Sequence, residues 1–503
     1  MYFSSDVREQ LPPLSWLVIM RKGEEEVKIL RGVRVECEKN FFVSGCWDGD
    51  FEAVDFLNAH FACCTGGIIG KHEELKLCTP DHMQESIYSV KKDNIYYFSN
   101  SIAFILAKLE YELDKGYMFY EEDFNSVYFG IKRCVNNLRL ANGEILTMHR
   151  LCNISIDKDF NVKTERRTSG LHFYNFNDYY SKLLCTMKKI RDNAQSVYRK
   201  FQYGMVTTIS RGYDAPCVSV IAHEIGCDKA LTFNSPAKYK EDNGAEIARK
   251  LGFSSIEEGD GNLYKSNTDL WEAENSGSGA TGCAVQFNAF EKNYENCLLF
   301  MGVRGDSLWN KNAVGVNSDM DYLSLDTDAD LNFEHYYRTN TIVIYLPMFA
   351  ADSWPDIHRI SNSEEMKSWC TNNNYDRPIP RRIVESKGIE RKDFGYAKMG
   401  AGISLHFETL GRLKNKMSPM SYKSLLDFKK SLHRNIFQHV SMYFYVIKYY
   451  FYNYHFYFNY LFDRFHIPIS LKDRRKKYMS SPISSLLILW GMSEMKKRYK
   501  KAL

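Results

Sequence analysis

Short apolar segments separated by polar turns make up the first third of the chain. Stretches such as WLVIM and FFVSGCW are rich in β-branched and aromatic residues and end at Gly, Asn, Asp or charged positions, which is typical of strands. We predict strands over 16–20, 27–35, 41–47, 94–99 and 144–151. A helix is predicted over 101–114, because apolar residues recur there at helical spacing. Residues 1–172 are therefore predicted to form a mostly-β domain.

From about residue 178 the pattern changes to strands that alternate with amphipathic helices. Helices are predicted over 179–201, 216–226 and 243–252, strands over 206–210, 230–233 and 297–302, and a Gly/Ser-rich loop over 274–282. This alternation indicates an α/β fold with a doubly wound parallel sheet, which we assign to residues 178–412. In such sheets ligands bind beyond the carboxyl ends of the strands.

The last segment, 413–503, is predicted to be a helical extension, and its 443–465 stretch is crowded with tyrosine and phenylalanine. Aromatic residues at helical spacing are typical of a packed helical cap, which is the interpretation we favour. Aromatic residues near a basic end also suit a helix that lies at a bilayer surface. No uncharged apolar run reaches the roughly 18–20 residues that a membrane-spanning helix needs.

Composition narrows the class of protein. The chain has 503 residues, of which 44% are hydrophobic and 25% charged, and this describes a folded globular protein of two or three domains. The net charge of +4 comes with no sustained basic stripe, so we predict no nucleic-acid partner. The 13 cysteines are scattered without a CxxC motif, and no secretory signal precedes them. We therefore expect reduced thiols in a cytoplasmic protein.

The stretch SRGYDA, residues 210–215, lies between a predicted strand and a predicted helix. A loop of this kind directs backbone N–H groups and the helix dipole at one point, which forms an anion site. Ser210 offers a hydroxyl, Gly212 allows close approach, and Asp214 suits Mg²⁺ better than a bare phosphate. A plain strand-to-helix turn is the alternative interpretation.

A second loop of similar composition follows the strand CLLFM. It contains Gly302, Gly305 and Asp306. Two neighbouring parallel strands, each followed by a loop with glycine and aspartate, would bring Asp214 and Asp306 to the same edge of the sheet. A divalent cation between the two carboxylates would relieve their repulsion. We therefore predict magnesium coordination by Asp214 and Asp306.

These motifs resemble the ATP-pyrophosphatase (PP-loop) domain of asparagine synthetase-type enzymes over roughly 180–400. The resemblance implies ATP and Mg²⁺ as cofactors. It implies a first phosphate loop at Ser210, Arg211, Gly212, Tyr213, Asp214 and Ala215, and a strand that contacts adenine and ribose at Thr232, Phe233 and Asn234. It also implies a second loop that binds phosphate and magnesium at Gly302, Gly305 and Asp306. The catalytic cations that it implies are Arg304 and Lys398. Arg211, Arg381 and Arg382 are further candidate cations. Upstream, the chain resembles the glutaminase-like (Ntn) layer of sheets of the same family.

The sequence departs from the family pattern at several positions. Met1 is followed by Tyr2, so removal of the initiator exposes no nucleophile, and we expect a degenerate glutaminase-like domain without glutamine hydrolysis. In the first loop Arg211 replaces a glycine, and Ala215 lacks the hydroxyl of the family serine. In the second loop Ser307 stands where the family has an acid.

The function implied by the resemblance is an ATP-dependent, AMP-forming carboxylate–amine ligase. Its carboxylate substrate is a sugar acid of a surface polysaccharide or a peptide side chain, as in lasso-type cyclases, and a separate protein could supply the ammonia. The altered loop residues leave a second hypothesis open, a nucleotide-binding scaffold without turnover. A tRNA-modifying PP-loop enzyme is a third, although it would be expected to bring a basic RNA surface or catalytic cysteines.

Overall fold

The computed structural model describes residues 1–235, 242–279, 284–321, 333–371, 373–395, 403–405, 408–465, 467 and 481–503. Strands in the first part of the chain are β1 (Tyr2–Val7), β2 (Trp16–Arg21), β3 (Glu26–Arg31), β4 (Glu36–Cys37), β5 (Phe41–Trp47), β6 (Ala62–Ile69), β7 (Leu75–Cys78), β8 (Ile87–Lys92), β9 (Ile95–Ser99), β10 (Asn137–Arg139), β11 (Ile145–His149), β12 (Cys152–Ile156) and β13 (Val162–Arg166). Later strands are β14 (Gly204–Thr208), β15 (Lys229–Ser235), β16 (Ser255–Asp260), β17 (Cys297–Met301) and β18 (Ile342–Tyr345).

Helices connect and cover these strands. The first eight are α1 (Ile102–Leu109), α2 (Tyr120–Asn125), α3 (Phe176–Ala194), α4 (Asp214–Glu224), α5 (Ala245–Leu251), α6 (Trp271–Gly277), α7 (Glu291–Tyr294) and α8 (Gly305–Leu308). They are followed by α9 (Phe333–Arg338), α10 (Trp354–Ser361), α11 (Pro378–Glu385), α12 (Leu410–Lys416), α13 (Pro419–Ser431), α14 (Ile436–Asn453), α15 (His455–Arg464) and α16 (Pro482–Ala502).

The N-terminal strands form two sheets that pack face to face. One sheet has the order β1-β3-β2-β9-β8-β11-β10 and the other β13-β12-β7-β6-β5-β4. Trp16 and Val18 of β2 point into the core between them, against Phe42 and Leu77 of the second sheet. The alternate residues of β2, such as Leu17, pack on the other side with α1. Because β2 is buried on both faces, its sequence is a continuous apolar run.

The later strands form one parallel sheet with the order β16-β15-β14-β17-β18. In order of sequence this is 3-2-1-4-5, so the chain reverses its direction of travel across the sheet between β14 and β17. The inner strand β17 and the edge strand β18 are both almost wholly buried, which explains their unbroken apolar sequences. The predicted mixed α/β architecture, with a mostly-β N-terminal region and a later parallel sheet with helices, is confirmed.

Several predicted boundaries differ from the structure. The predicted helix over 101–114 ends at Leu109, because Glu110 adopts a left-handed conformation. The long helix predicted over 179–201 begins at Phe176 and ends at Ala194. The loop predicted over 274–282 was wrong at its start, because α6 continues to Gly277. Its polar residues Glu274, Asn275 and Ser276 are buried in helix packing, so tertiary contacts outweigh the low helix propensity of Asn275 and Ser276.

Helix α16 lies between the two sheet regions, packed on α1 and most extensively on α6. Its crossing with α6 is close because two glycines face each other. A methyl group on the Gly491 α-carbon would lie 2.5 Å from the Gly277 amide nitrogen, closer than real contacts allow. The C-terminal segment is therefore an integral layer of the molecule in this region.

A buried charge cluster accompanies this crossing. The Glu274 carboxylate accepts hydrogen bonds from Arg338 Nε at 2.6 Å and from Arg498, and it contacts His335 Nδ1 at 2.9 Å. Burial alone would raise the pKa of Glu274, but Arg498, His335 and Arg338 hold that pKa well below its ordinary value. Nearby, Tyr499 donates to Glu334 at 2.9 Å. These contacts connect α6, α9 and α16.

The aromatic helices α14 and α15 differ from the packed cap that we favoured. Tyr445 is buried next to Met118, but many neighbouring aromatic side chains are exposed. Within the described ranges, no helix combines the length and the apolar character that crossing a bilayer requires. The cysteines in those ranges are all free thiols, and Cys283 lies outside them.

We predict that Gly491→Ala lowers the free energy of unfolding by about 2 kcal/mol, because the added methyl group meets the backbone of α6. Gly411→Ala is the control. Gly411 also lies in a helix, but its added methyl group meets nothing within 4 Å, so that change raises stability by up to about 1 kcal/mol. Urea unfolding of both variants measures the difference, and equal stabilities would contradict the close crossing.

Candidate functional site

The candidate site lies where β14 and β17 are neighbours in the parallel sheet. Both strands end at the same edge, and each leads through a short loop into a helix, α4 and α8 respectively. At this point the strand order reverses, and connections leave in opposite directions. Open parallel sheets bind ligands in the crevice that this reversal creates. The topology therefore brings the two predicted loops to the expected binding position.

The two loops are in close contact, and glycine makes the contact possible. A methyl group on the Gly305 α-carbon would lie 2.6 Å from Asp214 Oδ1, and one on Gly302 would lie 2.8 Å from the Asp214 carbonyl carbon. Asp306 follows Gly305 directly in the chain and is partly exposed. The structure thus brings Asp214 together with the loop that carries Asp306, as the sequence predicted.

The first loop is held by hydrogen bonds within the loop and to residues elsewhere in the chain. Ser210 Oγ accepts a hydrogen bond from the Gly212 amide at 3.3 Å. The Arg211 amide donates to Asp242 Oδ1 at 3.0 Å, and the Arg211 carbonyl accepts from the Gly395 amide at 2.8 Å. Helix α4 begins immediately afterwards, and no side chain caps its N-terminus. Its positive dipole end therefore points at the crevice.

Asp242 is a residue of the site that the sequence analysis did not identify. It is buried, it precedes α5, and it contacts both Ser210 and Arg211 of the first loop. Burial raises the pKa of Asp242 to about 6, against the opposing effects of the Arg211 amide, Ser210 and the Arg211 charge. The Asp-Asn-Gly sequence before the helix is a turn signal, but it gives no hint of a contact 31 residues away.

The segment after residue 374 supports the first loop. The Tyr375 ring lies 4.8 Å from the Tyr213 ring, centroid to centroid. Burial and the nearby charge of Asp214 raise the pKa of Tyr375, so its hydroxyl lies in the field of that carboxylate. Arg381 is fully buried, donates to the Tyr213 hydroxyl and pairs with Glu385 at 3.0 Å. Tyr213 itself is buried, which makes it a support for the loop.

The same segment also holds the second loop. Arg377 Nη2 donates to the Asp306 carbonyl oxygen at 2.7 Å, and its Nη1 donates to Asn310 Oδ1 at 2.8 Å. Its guanidinium lies 5.2 Å from the Tyr375 ring centroid. Residues 375–381 therefore connect both loops. Tyr375 and Arg377 are supporting residues that the sequence analysis did not identify.

The predicted cations lie in different surroundings. Arg304 is buried with a positive φ of 72°, and its guanidinium lies 3.8 Å above the Tyr128 ring of the N-terminal region. Arg211 Nε donates to the Asp393 carbonyl at 3.3 Å. Arg382 is away from the loops, stacked on Phe176 and paired with Glu365. Lys398 lies outside the described residues.

The predicted adenine strand is β15. Thr232 Oγ1 accepts from the Gly244 amide at 2.9 Å, and Gly244 packs closely on the backbone of Ile209 and Ser210. Phe233 is buried against Phe287 and Phe290, whereas Asn234 is exposed. Thr232 therefore connects β15 to the first loop through Gly244. Ala215 lies in the first turn of α4, next to Gly302.

The donor set fits a magnesium ion that is bound together with a nucleotide. Mg²⁺ is commonly held by one or two carboxylates with waters and phosphate oxygens, and Asp214 and Asp306 supply two. In the parts of the chain that the structure describes, no group of three or more His, Cys, Asp or Glu side chains could hold a metal ion. A metal ion held by these two carboxylates would need its remaining ligands from water or phosphate oxygens. The chain matches no protein-family model and no curated protein.

Asp242 predicts a pH dependence of stability. Its pKa is about 6 in the folded protein and about 4 in an unfolded chain, so the folded state binds this proton more tightly. The stability it contributes is present below pH 4 and is lost as the pH rises to about 6.

We therefore expect Asp242→Asn to gain about 2 kcal/mol of stability relative to the wild type between pH 4 and pH 7. Urea unfolding of both proteins across this range measures the difference. A constant difference at every pH would contradict the burial of a titrating carboxyl at this position.

Proposed function

We propose that the chain is an ATP-dependent, AMP-forming carboxylate–amine ligase with a PP-loop domain of the asparagine synthetase type. The single observation that carries the proposal is the contact between Asp214 and the Gly302–Asp306 loop at the reversal point of the parallel sheet. The 3-2-1-4-5 strand order and the uncapped N-terminus of α4 support it further. In this proposal the N-terminal sandwich is a degenerate glutaminase-like domain.

In the reaction, an oxygen of the substrate carboxylate attacks the α-phosphorus of ATP, and the bond to pyrophosphate breaks. The nitrogen of ammonia or an amine then attacks the acyl carbon, AMP leaves, and the nitrogen loses a proton to solvent or a base. The amides and the dipole at the uncapped N-terminus of α4 stabilise the charge that develops on pyrophosphate. Asp214 and Asp306 would hold Mg²⁺, which neutralises the same charge when it is bound.

The proposal also includes a source of nitrogen and a class of carboxylate substrate. β1 pairs with β3 along its whole length from Tyr2 to Val7, so the first residues are part of a sheet. In this proposal the N-terminal domain contributes no nucleophile, and ammonia or an amine is supplied separately. For the carboxylate we favour a sugar acid of a surface polysaccharide over a peptide side chain.

ATP–pyrophosphate exchange tests the proposal. With a panel of sugar acids and amino acids, we expect magnesium-dependent exchange with at least one carboxylate. Asp214→Asn and Asp306→Asn should each lower the exchange rate by about 10²-fold or more, because each removes a charge that holds the metal. Asp50→Asn, an exposed carboxylate of the N-terminal sandwich, is the matched control and should leave the rate unchanged. Equal rates in all three variants would contradict the assignment.

One observation favours a second candidate, a nucleotide-binding scaffold. The Arg211 amide, which would face a phosphate in an active loop, donates to the Asp242 carboxylate. Calorimetry with Mg²⁺ and ATP separates the two candidates. Tight binding without exchange on any carboxylate supports the scaffold, and binding with exchange supports the ligase.

A further inference from the structure

Helix α14 presents two aromatic stripes, and only one of them is covered. The inner stripe consists of Gln438, Met442, Tyr445, Tyr449 and Tyr452. Tyr445 packs on the Phe119 ring at 4.8 Å, centroid to centroid, and its hydroxyl donates to Glu122 at 3.0 Å. Gln438 Nε2 donates to Asp114 at 2.8 Å. The inner stripe therefore fixes α14 to the segment around α2.

The outer stripe is exposed along its whole length. Its residues recur at alternating intervals of four and three, so they follow one side of α14 and continue into α15. They are Ile436, Val440, Tyr443, Ile447, Tyr450, Tyr454 and Tyr457. The exposed fraction of these side chains ranges from 47% at Val440 to 73% at Ile436, and Phe437 beside them is 81% exposed. The stripe spans 22 residues of α14 and α15, which corresponds to roughly 30 Å of helix.

A continuous exposed stripe of this size differs from the scattered apolar residues found on ordinary surfaces. Contiguous apolar patches on folded proteins mark contacts with partners or membranes. Since α14 and α15 do not have the character of a membrane-spanning helix, any contact with a bilayer is along its surface. The side chains of the stripe therefore decide whether a protein partner or a membrane surface suits it better.

The chemistry of the stripe suits a lipid headgroup region. Four of its seven residues are tyrosine, whose ring is apolar and whose hydroxyl needs a polar partner, and such side chains are enriched at the boundary between hydrocarbon and water. A helix-to-helix seam prefers aliphatic residues at these positions, and the stripe contains no leucine.

The segment of the chain that carries the stripe is basic, and its charge indicates the sign of the lipid. Residues 419–465, which include α13, α14 and α15, contain Lys423, Lys429, Lys430, Arg434, Lys448 and Arg464 against Asp427 and Asp463. Their net charge of +4 equals that of the entire chain. Basic residues beside an interfacial helix are attracted to anionic lipids.

We propose that the outer stripe of α14 and α15 docks the protein on the surface of a membrane that contains anionic lipids. The helices lie parallel to the surface, with the tyrosine rings at the hydrocarbon boundary and their hydroxyls among the headgroups. The inner stripe keeps the helices attached to the body of the protein. This docking is independent of the ligase proposal, because it uses none of the residues of the nucleotide site.

Vesicle flotation of the full chain tests this proposal without ATP. The probes are vesicles of phosphatidylcholine alone and of phosphatidylcholine with 30 mol% phosphatidylglycerol. We expect the wild type to float with the anionic vesicles and to bind the neutral ones at least about tenfold more weakly, since the basic residues then lose their partner. Raising the salt concentration should narrow this gap.

The variant Tyr443→Ser/Ile447→Ser/Tyr450→Ser removes the centre of the stripe. Because all three side chains are exposed, the thermal unfolding temperature should stay unchanged, while binding to anionic vesicles falls at least about tenfold. The matched control is Tyr174→Ser/Val197→Ser/Tyr198→Ser, which removes three side chains that are equally exposed elsewhere. This control should bind as the wild type does.

Two results would overturn the proposal. One is a wild type that remains in the soluble fraction with anionic vesicles, or a stripe variant that floats as well as the control. The other is a wild type that light scattering shows to be a dimer, that binds no vesicles and that becomes monomeric in the stripe variant. That second result would assign the stripe to contact between two copies of this chain.

Discussion

The candidate site depends on one steric constraint, the contact between the loop after β14 and the loop after β17. Asp214 lies so close to Gly302 and Gly305 that neither position has room for a side chain. The constraint has a chemical benefit, because it brings two carboxylate-bearing loops to the single edge where a parallel sheet leaves an open crevice. Any larger residue at these glycines would separate the loops and enlarge the distance that a metal ion would have to bridge.

The loops keep their positions through supports from distant parts of the chain. Tyr375 and Arg381 lie against the first loop, Arg377 holds the carbonyl of Asp306, and Asp242 accepts the amide of Arg211. Asp242, Arg377 and Arg381 are buried, whereas Tyr375 and the acidic side chain of Asp306 are partly exposed. Supporting residues beneath a partly exposed site suit ligand binding, because preorganised groups need no rearrangement when a ligand arrives.

Much of this arrangement is readable from the sequence, and the reasons are local. Buried parallel strands give continuous apolar runs, and Gly-plus-Asp loops after two such runs indicate the edge where Asp214 contacts the loop that carries Asp306. The features that the sequence did not predict have a different origin. The burial of Asp242 and the bonds of Arg377 depend on partners far along the chain. Helix α6 extends over residues 274–277 of the predicted loop because α16 covers its polar residues. The roles of the site residues in catalysis remain predictions.

The position of α16 has a consequence for the synthesis of the protein. This helix packs on α1 of the N-terminal region and on α6 of the parallel-sheet region, yet the ribosome makes it after both of them. Until α16 emerges, the apolar sides of α1 and α6 lack their shared neighbour, and only direct contacts such as the hydrogen bond from Tyr337 to Glu85 join the two regions. A nascent chain that has not yet reached α16 therefore exposes apolar surface on both helices, which is the kind of surface that makes folding intermediates prone to aggregate.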